Sequence, residues 1–274
     1  MKVRDRLIVM GAVAALATAA TPASAQVMWA VDSSRALYTI DITTGAKTPA
    51  GTVSANAGTT GGLAYDRVNN IVYLTSTSND SLYTLDLATG NATLIGAYGD
   101  AAVVMHGLEF DDSTGRLYGM SSHNAGLYEI NKTTGAATLI GLSGASSFMN
   151  LGYNLDTNVM YATSSGTDSF YSIDLTTGAG TLIGPLGGPT NPNGLAYNWS
   201  NGQLYLIDNT TDNLYTINMA TGAATLIGST GTGNLLGLAW IEPIPEPSSL
   251  ALAGCVAAAA AAYRRYRKVR HSVE

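Results

Sequence analysis

The hydrophobic pattern of this chain repeats. The segments LYTIDITTGAKTPAG from Leu37, LYTLDLATGNATLIG from Leu82, LYEINKTTGAATLIG from Leu127, FYSIDLTTGAGTLIG from Phe170 and LYTINMATGAATLIG from Leu214 share one order of apolar and polar positions. Their turn glycines, Gly45, Gly90, Gly135, Gly178 and Gly222, lie 45, 45, 43 and 44 residues apart. Apolar–polar alternation marks a half-buried strand, and Gly at a tight reversal supplies positive φ. Four short β-branched or aromatic runs fit in each period. In the second unit they are expected at Gly62–Asp66, Ile71–Thr75, Leu82–Leu87 and Ala92–Ala97, bounded by Asn, Asp, Gly or Ser. Asp41, Asp86 and Asp174, with Asn131 and Asn218 in the other copies, precede the Gly bend, where a carboxylate or amide accepts backbone N–H groups. Asn69-Asn70, Thr114-Gly115, Thr157-Asn158 and Asn201-Gly202 mark the first-to-second hairpins with residues that tolerate a left-handed backbone.

Four antiparallel strands per period describe a β-propeller blade. The first strands end in Tyr65, Phe110, Tyr153, Tyr197 and Trp240, which counts five. A run at Val27–Val31 reads as a second strand with no first strand before it, and Gly237–Ile241 as a first strand with nothing after it. The expected fold is therefore all-β: a five-bladed propeller over residues 26–242, its ring closed by pairing the N-terminal and C-terminal segments. Twelve of the fifteen tyrosines recur at three repeat positions, which suits core between blades better than a sugar-stacking platform. A parallel β-helix is the rival architecture, but its rungs are shorter and need no shared terminal strand.

Charge divides the chain into three parts. Residues 26–242 hold five bases (Arg35, Lys47, Arg67, Arg116, Lys132) and sixteen acids, a net −11 within a total of −6. So few bases cannot neutralise a run of phosphates, which argues against a nucleic-acid partner. At 46% hydrophobic, the chain differs from a disordered acidic one. Cys255 is the single cysteine, so no intrachain disulfide forms and packing must carry stability.

The basic handles sit at the ends. Residues 1–25 combine Lys2, Arg4 and Arg6, an apolar stretch from Leu7 to Ala20, and Ala23-Ser24-Ala25. This is the build of a secretory signal cleaved by signal peptidase between Ala25 and Gln26. Residues 243–274 contain Pro245-Glu246-Pro247, an apolar run from Leu250 to Tyr263 expected as a helix, and then Arg264, Arg265, Arg267, Lys268 and Arg270. Fourteen helical residues span about 21 Å, short of a hydrocarbon core of about 30 Å, and the basic cluster supplies a positive-inside stop. These three parts in order resemble the PEP-CTERM sorting signal. The resemblance implies a Gram-negative bacterium, transient anchoring in the inner membrane, processing by an exosortase near Pro245–Pro247, and delivery to the cell surface or extracellular matrix. An ordinary tail anchor is the alternative.

Internal comparison of the copies shows where a site belongs. The connections between blades and the second-to-third loops vary and should emerge on one face, around the channel mouth. The opposite face reads as structural. Preceding the first strands are Gly61, His106, Asn150, Asn193 and Leu236, of which His106, Asn150 and Asn193 are the polar ligand-binding candidates. Two histidines and no cysteine in the body make structural zinc improbable. Asp80, Asp100, Asp111, Asp112, Asp168 and Asp212 offer oxygen ligands for calcium, without calcium-loop spacing. No other cofactor is expected, and no nucleophile-elbow motif flags a catalytic serine.

Asn191-Pro192-Asn193-Gly194 resembles the Asp-Pro-Asn-Gly motif of five-bladed glycoside hydrolases such as invertases. The family's nucleophile would fall on Asn191, an amide that cannot serve, so the segment reads as turn chemistry. The repeat itself resembles those of uncharacterised secreted bacterial propellers, loosely akin to quinoprotein- and YVTN-type repeats. That resemblance speaks to fold more than to activity. The expectation is a non-enzymatic surface or matrix module with exopolysaccharide or surface proteins as partners. The runner-up is a hydrolase or lactonase with its site at the channel mouth.

Overall fold

The computed structural model describes residues 27–100, 103–148 and 150–241. The expected signal with its Ala25–Gln26 junction, the Pro245-Glu246-Pro247 motif and the C-terminal apolar helix lie outside the described residues. Within them are five four-stranded antiparallel sheets, and no helix is long and apolar enough to cross a membrane.

Blade I joins β1 (Val27–Asp32), β2 (Ala36–Ile40) and β3 (Lys47–Thr52) to the last strand, β20 (Leu235–Ile241). Blade II is β4 (Thr60–Asp66), β5 (Ile71–Ser76), β6 (Ser81–Leu85) and β7 (Ala92–Ala97). Blade III is β8 (Met105–Asp111), β9 (Arg116–Ser121), β10 (Gly126–Ile130) and β11 (Ala137–Leu142). Blade IV is β12 (Gly152–Asn154), β13 (Val159–Ser164), β14 (Ser169–Ile173) and β15 (Gly180–Pro185). Blade V is β16 (Pro192–Asn198), β17 (Gln203–Asp208), β18 (Asn213–Ile217) and β19 (Ala224–Ser229). The composite blade closes the ring as its sequence pattern requires, with Val27 opposite Ile241 and Val31 opposite Gly237. The third strand of blade II stops at Leu85 rather than Leu87. Asp86 has already begun the bend, its carboxylate accepting the Ala88 N–H at 2.9 Å and its carbonyl the Gly90 N–H at 2.7 Å.

The same polar chemistry recurs at the turns after the first and third strands. Before the outer turns, Asp41 and Asn131 each accept two N–H groups and a threonine hydroxyl through Oδ1. These contacts hold the Asp41, Asp86 and Asp174 carboxyls below their ordinary pKa, with the threonine hydroxyl bond the largest cause in each. In the first-to-second hairpins, buried Asp66, Asp111, Asn154 and Asn198 accept backbone N–H groups in the same way. Asn70, Gly115, Asn158 and Gly202 take the left-handed backbone there. On the other face, inter-blade connections and second-to-third turns are bonded together in all five blades. The donors are Ser33, Thr77, Ser122, Ser165 and Asn209, and the acceptors are the carbonyls of Asn234, Thr59, Val104, Ser147 and Asn191. We call this the upper face and the hairpin side the lower face.

Neighbouring blades meet at glycine. A Cβ on Gly45, Gly135, Gly178 or Gly222 would fall 2.2–2.7 Å from the carbonyl oxygen of Gly228, Gly96, Gly141 or Gly184 in the adjacent outer strand. Each outer strand also carries a bulge, at Ala50, Ile95, Ile140, Ile183 and Ile227. The four isoleucines turn onto the inter-blade cores, while Leu94, Leu139, Leu182 and Leu226 stay exposed. A bulge in an otherwise unpaired edge disfavours strand addition by another chain.

Gly141 and Gly115 separate packing from backbone strain. A Cβ on Gly141 would lie 2.0 Å from the Thr177 carbonyl oxygen, whereas Gly115, at φ +69°, has nothing within 4 Å. Gly115→Ala should cost about 1 kcal/mol, the price of a left-handed alanine. Gly141→Ala should cost about 2–3 kcal/mol, because backbone has to move. Urea unfolding of the two variants checks the order.

Candidate functional site

The residues expected at the upper channel mouth are largely engaged in building it. His106 and Asn193 are both bulge residues, between Met105 and Gly107 and between Pro192 and Leu195. Asn150 is not their equivalent. It lies three residues before Tyr153, whereas His106 lies four before Phe110, so it takes the place of Gly107. It is buried, with its Nδ2 donating to Thr163 Oγ1 at 2.7 Å and its Oδ1 accepting the Thr163 N–H at 3.2 Å. Asn193 is also buried and donates to the Asn191 carbonyl at 2.9 Å. The Asn191 N–H in turn binds Asp208 at 2.6 Å, so the segment expected as a turn is instead the start of β16 and its bulge, braced at Asn191. His106 Nδ1 lies 2.8 Å from Ser122 Oγ, and burial pushes its pKa down.

The inner strands crowd together at this end. A Cβ on Gly62 would lie 2.5 Å from the His106 carbonyl oxygen, and one on Gly237 2.7 Å from that of Gly61. Close backbone approach thus narrows the upper channel.

The enclosed space lies toward the lower face. A partly open cavity of about 30 Å³ is lined by the first-strand aromatics Tyr65, Phe110, Tyr153, Tyr197 and Trp240, together with Glu109, Asp112 and Trp199. Trp199 belongs to a blade V hairpin but crosses the axis. Its ring stacks on Tyr65 of blade II at 6.5 Å and meets Trp240 edge-on at 6.4 Å. The Arg67 guanidinium lies over it at 5.0 Å, and Arg67 Nε pairs with Asp112 at 3.7 Å.

Glu109 is the chemically unusual group. Its Oε1 accepts the Phe110 N–H at 2.9 Å and its Oε2 the Tyr153 N–H at 3.2 Å. Its partly exposed surface faces the channel rather than open solvent. Removal from water pushes its pKa up to about 8, against the opposing effect of the two N–H donors. Burial also raises Asp112, opposed by the Arg67 charge. Two buried polar atoms in this wall have no hydrogen-bond partner among the described residues: Asp112 Oδ1 and Trp240 Nε1.

These residues break the repeat, a signal the sequence carried unread. The position before the first-strand aromatic reads Ala64, Glu109, Gly152, Ala196 and Ala239. The position after the hairpin-capping Asp or Asn reads Arg67, Asp112, Leu155 and Trp199. The hairpins repeat in turn chemistry, which made the lower face look purely structural, but their first residues diverge and turn toward the axis.

The acids weighed as calcium ligands are scattered. Asp80, Asp168 and Asp212 occupy left-handed positions in upper turns, at φ 46°, 48° and 50°, while Asp111 caps a lower hairpin. Among the described residues no group of three or more His, Cys, Asp or Glu side chains could hold a metal.

Comparison with known proteins adds fold rather than chemistry. Residues 103–234 match a family described as a repeat of unknown function (DUF6923). No curated protein matches the chain. Among solved structures, a protein of unknown function from Bacteroides thetaiotaomicron superposes with a TM-score of 0.57 at 16% identity, covering 80% of this chain and 66% of that one. A chain of a nidogen/laminin complex gives 0.55 at 15% identity, covering 80% and 85%. A virginiamycin B lyase from Staphylococcus aureus gives 0.50 at 13% identity, covering 76% and 71%. Identities this low establish the propeller fold alone.

Glu109 makes stability depend on pH with a definite sign. Its folded pKa of about 8 exceeds its ordinary 4.5, so the folded protein holds a proton that the unfolded chain releases. Its contribution is full below about pH 4.5 and is lost as pH rises through about 8. Glu109→Gln should remove this component. Denaturation midpoints from pH 5 to 9 should show the variant gaining on the wild type as pH rises.

Proposed function

We propose that this protein is an exported five-bladed propeller acting as a non-enzymatic binding module at the cell surface or in the extracellular matrix, with exopolysaccharide as its partner class. The observation that carries this reading is the convergence of repeat-breaking side chains on one end of the channel. Arg67, Glu109, Asp112 and Trp199 come from three blades and meet an aromatic wall. The rest of the repeat's polar chemistry is occupied in holding turns. The address rests on the signal-like residues 1–25 and the sorting-like residues 243–274. In this scheme signal peptidase and exosortase handle the chain during export, and the inner membrane holds it transiently.

Neighbours in fold include both a component of a nidogen/laminin complex and a lyase, so fold does not choose between binding and catalysis. One observation favours a second reading, a hydrolase or lactonase: Glu109 and Asp112 share the cavity, and Glu109 holds its proton near neutral pH as a general acid would. Its location would be the lower channel end, opposite the expected mouth. Turnover of esters, lactones or glycosides that vanishes in Glu109→Gln would establish the enzyme. Silence across all three panels would remove it.

The address has a separate check. Cell fractionation after deletion of residues 245–274 should show the protein lost from the surface fraction. An unchanged distribution would contradict the sorting role.

A further inference from the structure

We propose that, while its tail is held in the membrane, the ring docks lower face down on the phospholipid surface and presents its upper turns outward. This deepens the reading of residues 243–274 as a membrane-held sorting tail and rests on it; the tail itself lies outside the described residues. The path of the chain carries the inference. Blades II to V each have a first-to-second hairpin on the lower face. In blade I the end of β20 and the start of β1 take that place, with Ile241 directly opposite Val27. First strands crowd together at the axis, so the chain leaves the ring at Ile241 close to the axis and on the lower side. Eight residues, 242–249, separate Ile241 from the apolar run that starts at Leu250. Fully extended, eight residues reach at most about 29 Å. To lay the upper face on the bilayer, this linker would first have to pass three strand spacings of about 4.8 Å. It would then have to climb the seven residues of β20 at about 3.3 Å each, a path of about 37 Å before any side chain is cleared. The upper face is out of reach.

Surface chemistry favours the lower face over the rim. Val68, in the blade II hairpin, is 77% exposed, and half-buried Leu155 and Trp199 occupy the hairpins of blades IV and V. Apolar and indole side chains are what a headgroup boundary accepts. The exposed rim leucines belong to four successive blades and point outward around the ring, so one flat surface cannot meet them together. Charge points the same way. Arg67, Arg116 and Lys132, three of the five bases in the body, lie on the lower side and face Asp112, Glu129 and Asp66 at 3.7, 3.6 and 3.8 Å. Asp32, Asp80, Asp168, Asp208 and Asp212 stand at the upper turns, none in an ion pair among the described residues. An acidic body meets least repulsion from an anionic lipid surface through the face whose acids are matched. The lower channel end, where Arg67, Glu109, Asp112 and Trp199 converge, is thereby covered until the tail is cut. Processing near Pro245–Pro247 both releases the protein and uncovers that end.

The test uses the full chain, exported from a host without exosortase so that the tail is retained. It is reconstituted into vesicles of phosphatidylethanolamine and phosphatidylglycerol containing a lipid with a nitroxide headgroup. With Cys255→Ala removing the native thiol, Val68→Cys on the lower face and Thr210→Cys on the upper each carry one small fluorophore. Both positions are exposed, so unfolding midpoints should match the parent. The nitroxide should quench the probe at position 68 several-fold more than the probe at position 210. A bulky maleimide polymer should label Val68→Cys slowly in the tethered protein, and as fast as Thr210→Cys once a protease site inserted after Glu242 has been cut. Equal quenching at the two positions, stronger quenching at 210, or labelling at 68 that tail removal leaves unchanged would overturn the docked orientation. If the protein still floats with the vesicles in those cases, the anchoring reading stands without it. Protein that stays behind when the vesicles float contradicts the anchoring, and the orientation with it.

Discussion

Everything in this fold depends on one non-local pairing, β1 against β20. The four inner blades are each continuous in sequence, but blade I exists only when Val27–Val31 finds Gly237–Ile241. Until that pairing forms, the inner strand of the first blade is missing and the buried faces of blades II and V have no partner. The ring contains no disulfide to enforce closure, so hydrophobic burial and this ladder hold it. Trp199 adds a brace, reaching from blade V to Tyr65 in blade II and Trp240 in blade I. The structure is consequently tight on its axis, and tightness is what confines the accessible cavity toward one end.

Repetition and exception divide the labour. Asp, Asn, Ser and Thr recur at strand ends because each bend leaves backbone N–H groups that need an acceptor. Glycine recurs where blade backbones touch. A side chain conserved across copies of the repeat by these demands is poorly placed to recognise anything. Glu109, Arg67, Asp112 and Trp199 answer to neither demand, which makes their convergence informative. Glu109 in particular lowers stability as pH rises, a cost that its two backbone N–H bonds only partly offset.

Most of the architecture was legible in the sequence. Five blades, the composite sheet, the turn glycines and the left-handed hairpin residues followed from a period near 44 and a count of first strands. Strand ends were less legible: Leu87 failed as a strand residue because Asp86 captures the bend, ending the strand at Leu85, two positions earlier. The site was legible only in part. Comparing loops by length and composition directed attention to His106, Asn150 and Asn193, yet bulges and turn hydrogen bonds occupy much of their polar capacity. Comparing the copies position by position would have exposed Glu109 among alanines and glycine. What no sequence comparison shows is that Trp199 crosses the axis, since that depends on how tightly five inner strands close.

The central claim is that the ring is one cooperative unit closed by its terminal strands and braced by Trp199. Equilibrium urea unfolding followed at once by tryptophan fluorescence and far-ultraviolet circular dichroism tests it most directly. The account predicts coincident transitions, since the tryptophan environment around Trp199 and Trp240 cannot be lost while the blades persist. A fluorescence change completed at lower urea than the loss of β-structure would contradict it, showing that the closure opens while the remaining blades stay folded.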